Sequence, residues 1–171
     1  MFCGNWYLIK IIKFSLGLFK DNLLNGKGIK KSEKFNYEFI GNFKNGEKHG
    51  SGKEVTNEYN FQGSFKNDKK NGYGKIYFKL NGDDYEGNFK DDLINGDGIY
   101  TWENNDVYKG PFLNGEMNGN GIYHYSNGKI YKGDFENGLK NGYGVLTFNG
   151  KVVQKGVYHN GDFVDSKVFF K

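Results

Sequence analysis

Three histidines, one cysteine, paired acids and a set of Gly-x-Gly elements are the residues of this chain that could do chemistry. Imidazoles are the usual bases and metal ligands near neutral pH, but they must converge on one point to act. His49, His124 and His159 share no ligand spacing and fall at different positions of a repeat, in a loop, a strand and a loop. They are expected to be surface or structural residues. Cys3 lies near the N-terminus with no evident base partner, so a free thiol is expected rather than a nucleophile. Asp83-Asp84 and Asp91-Asp92 could pair as general acid and base, but their turn-rich surroundings favour solvated loop positions. The Gly-x-Gly elements recur six times and lead into strand-like segments without the Gly-Lys-Ser/Thr ending of a phosphate loop. No catalytic, metal or cofactor residue is assigned, and a non-enzyme is expected.

The elements that hold these residues form a repeat. Blocks of aromatic-x-Gly-x-aromatic centre on Gly41, Gly63, Gly87, Gly110 and Gly133, with degenerate copies at Gly17 and Gly156. The steps are 24, 22, 24, 23, 23 and 23 residues. A fixed period of this size marks a repeat architecture. Gly-x-Gly follows in six units, at 26/28, 50/52, 72/74, 96/98, 119/121 and 142/144. Apolar or aromatic pairs come next in the later units: Ile76/Phe78, Tyr100/Trp102, Tyr123/Tyr125 and Leu146/Phe148. The first two units carry Ser32 and Thr56 at the second of these positions, and the seventh stops after its first strand.

Alternate residues of a strand share a face, so Tyr131, Gly133 and Phe135 point one way. Gly142, Gly144, Leu146 and Phe148 are expected to follow suit in the partner strand. Bare glycines then make room for rings laid over the backbone, which offsets the usual cost of glycine in a strand. The intervening loops, such as ENGLKNG, carry Asn22, Gly46, Asp68, Asp92, Gly115 or Gly138 at their third position. These residue types tolerate positive φ, which predicts a left-handed turn residue there. Asn81-Gly82, Asn127-Gly128 and Asn149-Gly150 mark the return turns. Pro111 lacks an N–H and predicts a missing ladder bond. The fold class is all-β: an elongated, twisted, single-layer antiparallel meander of about seven stacked β-hairpins. Some 14 strands at ~4.8 Å spacing would give a right-handedly twisted body about 65 Å long.

The pattern Tyr-x-Gly-x-Phe followed by Gly-x-Gly-x-x-x-Tyr/Phe resembles the MORN (membrane occupation and recognition nexus) repeat. YKGDFENGLKNGYGVLTF (131–148) and YEGNFKDDLINGDGIYTW (85–102) are close matches, and the resemblance spans about residues 15–163. It departs at Ser15, Ser32, Thr56 and Gln154, where aromatics are expected. The resemblance implies an aromatic-lined groove and a scaffold that docks partner proteins or cytoskeletal elements. It further implies homodimers for some members and association with anionic phospholipid.

Composition bounds the rest. All 24 basic residues are Lys and the net charge is +4. Without Arg, sequence-specific nucleic-acid binding is not expected. The Lys excess fits either soluble, pairing-resistant sheet edges or an anionic surface. A single cysteine favours an intracellular, cytoplasmic setting, peripheral at a membrane or cytoskeleton in line with the resemblance. No apolar run approaches the ~20 residues of a membrane span, and no signal peptide is evident. Residues 1–14 read as a cap, a degenerate repeat or an amphipathic membrane-surface segment, 15–163 as the array, and 164–171 as a closing strand.

The aromatic stripe has two readings: packing, or a groove whose rings stay partly exposed because a single layer has no cover. On the second reading the partner-binding residues are Tyr85, Phe89, Trp102, Tyr108, Phe112, Tyr125, Tyr131 and Phe135. The partner is a protein segment, or else an anionic membrane lipid.

Overall fold

A computed structural model describes residues 13–164. Cys3, nearly all of segment 1–14, and the closing segment from residue 165 lie outside the described residues. The chain is one antiparallel sheet in which neighbours in sequence are neighbours in space. Its strands are β1 Lys13–Lys20, β2 Leu23–Ser32, β3 Tyr37–Lys44, β4 Glu47–Val55, β5 Tyr59–Lys66, β6 Lys69–Phe78, β7 Asp84–Lys90 and β8 Leu93–Thr101. They continue as β9 Val107–Leu113, β10 Glu116–Met117, β11 Gly119–His124, β12 Lys129–Glu136, β13 Leu139–Phe148, β14 Lys151–His159 and β15 Asp162–Val164. Among the described residues the only helical element is a 3₁₀ turn at Glu33–Phe35, and none is long and apolar enough to cross a membrane.

Each hairpin closes through two residues that both have positive φ, as in Asn45-Gly46 (50° and 84°), Asn67-Asp68 (51° and 65°) and Asn137-Gly138 (50° and 77°). Two consecutive left-handed residues define the mirror-image turn whose twist matches that of the strands. The left-handed position expected in each loop is therefore present, and the residue before it shares the conformation. The expected seven-residue loops shrink to these two residues. Strand pairing resumes at once, Leu139 opposite Glu136 and Lys140 opposite Phe135. His49 and His159 consequently sit in strands β4 and β14 rather than in loops. The seventh unit also continues: after Asn160-Gly161 the chain re-enters the sheet as β15, with Phe163 opposite Tyr158. Among the return turns only Asn149-Gly150 has two positive φ values; at Asn81-Gly82 and Asn127-Gly128 only the glycine does.

The two glycines of each Gly-x-Gly have different tasks. Five hairpins among the described residues, β1–β2, β3–β4, β5–β6, β7–β8 and β12–β13, carry a register shift in which one residue opposes three, such as Asp134 against residues 141–143. The first glycine of the pair sits in this bulge with positive φ, Gly142 at 103° and Gly72 at 99°. A side chain on Gly142 would meet Asp134, on the face away from the rings, so it is not floor space as expected. The bulge instead re-aims the strand, placing Lys48, Lys70 and Lys140 over the rings. The second glycine does supply the floor. Gly98 faces Gly87 across the hairpin, and a methyl group on Gly98 would fall 2.4 Å from the Tyr85 ring.

Opposite Pro111 the partner strand breaks into β10 and β11, and Asn118 N–H donates to the Pro111 carbonyl at 3.0 Å. The missing N–H accounts for the break.

The core is a zipper of rings in two rows. Tyr85 contacts Phe89 of its own strand and Phe112 of the next hairpin, both at 5.3 Å and nearly perpendicular. The same pair of contacts recurs for Phe39, Phe61, Tyr108 and Tyr131. Edge-to-face contacts of this kind add ~0.5–1.5 kcal/mol each beyond burial. Tyr85, Tyr108 and Tyr131 are fully buried although the sheet has no second layer. Glycine backbone lies beneath each ring, and edge-on rings form its roof.

Candidate functional site: a half-buried aromatic ledge

The zipper decides the fate of the eight expected partner-binding residues. Tyr85, Phe89, Tyr108, Phe112, Tyr131 and Phe135 are buried, contrary to the expectation of partly exposed rings. That expectation treated the rings as one exposed row, whereas the second row covers the first. Trp102 and Tyr125 remain half-buried on the flank of the core.

These two belong to a third aromatic row beside the return turns. Phe78 stacks on Tyr100 at 6.3 Å, Tyr100 meets Trp102 at 4.6 Å, Trp102 meets Tyr123 at 5.1 Å, and Tyr123 meets Tyr125 at 4.5 Å. The row runs across neighbouring units as a ledge. Phe78, Tyr100 and Tyr123 were not among the expected site residues. Their signal was the apolar pair after each Gly-x-Gly, where the bulge and the return turn set aside a separate row.

Two carboxylates fix the ledge. Asp83 accepts from the Tyr100 hydroxyl at 2.7 Å, the Glu103 N–H at 3.0 Å and the Asn81 side-chain amide at 2.6 Å. One repeat later, Asp106 accepts from the Tyr123 hydroxyl at 2.9 Å and the Ser126 N–H at 2.7 Å. Asp83 is buried, so the expectation of a solvated turn acid does not hold there. Burial, and then the hydrogen bond to the Asp83 carboxylate, raise the Tyr100 pKa. Burial and Asp106 do the same to Tyr123. Burial opposes ionisation of Asp106, but the Ser126 N–H and the Tyr123 and Asn104 side chains outweigh it and hold its carboxyl below the usual range. Both acids accept several donors and brace the rings.

The N-terminal units differ. Where later units place Ile76, Tyr100, Tyr123 and Leu146, the second unit buries Glu54 at 2% exposure. Lys48 Nζ lies 2.5 Å and Lys70 Nζ 3.9 Å from its carboxylate, and the Tyr59 hydroxyl donates to it at 2.9 Å. Lys70 also stands 4.1 Å over the Tyr59 ring. Burial lowers the Lys70 pKa despite the attraction of Glu54 and Asp92. The cluster is an ionic plug in a row that is Lys30 in the first unit and apolar or aromatic from the third unit onward. His49, His124 and His159 sit on β4, β11 and β14.

No curated protein matches the chain. The model of the MORN repeat matches it six times, over residues 17–34, 39–57, 61–79, 85–107, 108–130 and 131–151. With these matches across most of its length, and with each matched segment folded as a glycine-floored hairpin, the chain belongs to the MORN repeat family.

Proposed function

We propose that the chain is a non-catalytic scaffold that binds a partner peptide or helix along the aromatic ledge of its central units. The observation that carries this reading is the half-buried ledge itself. Trp102 and Tyr125 present large amphipathic rings packed on Tyr100 and Tyr123, whose hydroxyls are held by Asp83 and Asp106. Rigid aromatics of this kind are favoured at interfaces because little side-chain freedom is lost on binding. On this reading Tyr85, Phe89, Tyr108, Phe112, Tyr131 and Phe135 act from beneath, as the bed on which the ledge rests. The test compares partner capture from native cells by the wild-type chain and by Trp102→Ala/Tyr125→Ala. Loss of specific partners from the folded double variant is the expected result; undiminished capture would count against the ledge.

A second reading, peripheral binding to anionic phospholipid, is favoured by one row on the opposite face. Lys109, Lys132 and Lys155 alternate with Ile99, Ile122 and Val145 in cross-strand register. The three lysines are exposed and make no ion pair among the described residues. Such a row would be drawn to an anionic surface in a salt-dependent way. Co-sedimentation with phosphatidylserine liposomes at low salt, lost on Lys109→Glu/Lys132→Glu, is the expected result. No co-sedimentation at low salt would end this reading.

A further inference from the structure

The face opposite the rings carries an open groove of about 1150 Å³ across β1 to β6. Its floor is a row in cross-strand register. Leu16, Ile29 and Ile40 come first, followed by Lys53, Gln62 and Lys75. The glycine pairs of the repeats contribute only backbone to the groove, because the sides on which a Cβ would stand face Phe39 and Phe61 on the ring face. Leu16 is 64% and Ile40 46% exposed, an unusual setting for large aliphatics. Tyr73 and Tyr77 stand at the far end, where the Tyr73 hydroxyl is already held by Glu86 at 2.7 Å.

The charges are one-sided. Lys27, Lys53 and Lys75 line the groove, and no Asp or Glu does. Lys27 and Lys53 make no ion pair among the described residues; Lys75 meets Glu86 at 3.7 Å, outside the lining. A floor that is aliphatic over β1 to β3 and carries Lys53 and Lys75 over β4 to β6, with Lys27 beside it, calls for an occupant with apolar side chains and carboxylates.

The direction of the groove sets the occupant's backbone. It crosses the strands, whose N–H and C=O groups are already paired within the sheet. A segment lying in it cannot join the ladder, so it must satisfy its own backbone hydrogen bonds, as a helix does. Six strands span about 24 Å between the outermost two, the length of ~16 helical residues.

We infer that this groove docks an acidic amphipathic helix of a partner protein. The helix seats its apolar stripe on Leu16, Ile29 and Ile40 and turns its carboxylates to Lys27, Lys53 and Lys75. The site is separate from the aromatic ledge and does not rest on it. A scaffold built this way holds two partners on opposite faces of one sheet.

The test uses the full chain and a displayed library of helical peptides, about 18 residues long, with every surface position randomised. Selected helices are expected to carry an aliphatic stripe flanked by Asp and Glu. Their binding, read by fluorescence anisotropy, should fall at least about tenfold for Lys53→Glu and for Ile40→Asp. Both positions are exposed, so the melting curve should stay unchanged. Trp102→Ala and Lys132→Glu should leave this binding intact, which separates the groove from the ledge and from the C-terminal lysine row. The inference is overturned if no helix is selected, if the selected helices are basic, or if the groove variants bind as well as wild type. Displacement of the helix by phosphatidylserine vesicles that also lose their hold on Lys53→Glu would reassign the groove to lipid and overturn it equally.

Discussion

Gly87 and Gly98 face each other across β7 and β8 so closely that a methyl group on Gly87 would lie 2.6 Å from the Gly98 α-carbon. Tyr85 fills the space that both leave. The repeat therefore tolerates no side chain at these positions, even though no unusual φ is required there. Gly98→Ala is expected to cost about 3 kcal/mol, because neither the backbone nor the roofed ring can yield. Gly115 offers the contrast, with nothing within 4 Å of an added methyl group and a φ of 93°. Gly115→Asp should lose only about 1 kcal/mol, the cost of holding a side chain in the left-handed region that Asp68 and Asp92 occupy at the same turn position, at φ 65° and 72°. Urea unfolding of both variants checks the ordering; equal losses would contradict it.

Tyr108 is fully buried, and its hydroxyl donates to the Pro111 carbonyl at 3.1 Å. Tyr108→Ala should lose ~3–5 kcal/mol and open the zipper between neighbouring hairpins. Tyr108→Phe keeps the ring contacts, as Phe39 and Phe61 do in their units, and should lose only ~1 kcal/mol. Chemical denaturation of the pair separates ring packing from the hydrogen bond. If the two variants prove equally unstable, the ring does not carry the core.

Glu54 is the one buried carboxylate set between Lys48 and Lys70. Glu54→Gln leaves both cations without it and should destabilise by ~3–5 kcal/mol. The triple change Lys48→Ile, Glu54→Ile, Lys70→Ile copies the apolar choice of later units at Ile94 and Ile76. It should be neutral or stabilising, since well-packed apolar residues often replace a buried ionic cluster without loss. A triple variant less stable than Glu54→Gln would show that the plug is required for the fold.

Burial pushes the hydroxyls of Tyr85 and Tyr108 up to about 12 and raises those of Tyr59, Tyr100, Tyr123 and Tyr131 as well. These groups are neutral in the fold. Their contribution to stability is complete below the unfolded phenol pKa of about 10 and is lost as pH rises towards the folded values. The protein is expected to hold its stability up to pH ~10 and to unfold above it, with phenolate absorbance and loss of sheet rising together. Complete phenol ionisation in an intact sheet would contradict this.

The period, the hairpins and the left-handed turn residues were legible because glycine, Asn and Asp recur at fixed spacing for steric reasons. The roles of Gly142 and Gly144 were not separable in the sequence, since a bulge is a property of the pairing and both residues look alike. The Leu-Lys-Asn-Gly segment after Gly138 has loop-like composition, yet its backbone is claimed by Phe135 and Glu136. The burial of Tyr85 was missed because its roof, Phe112, belongs to the next unit. Trp102 and Tyr125 are half-buried, and so are their companions Tyr100 and Tyr123, which carry the same aromatic signal in the sequence. The anchors that give those two their place, Asp83 and Asp106, look in sequence like ordinary turn residues.

The ring zipper also gives the stack a direction. Phe39 is covered by Phe65, Phe61 by Phe89, Tyr85 by Phe112, Tyr108 by Phe135 and Tyr131 by Tyr158, always from the unit that follows. Each hairpin is therefore completed by its successor in the chain, like overlapping roof tiles. At position 154 the series meets Gln in place of a ring, held by the Tyr158 hydroxyl at 3.2 Å. A polar residue at that position leaves no ring there that needs a cover from a neighbouring unit.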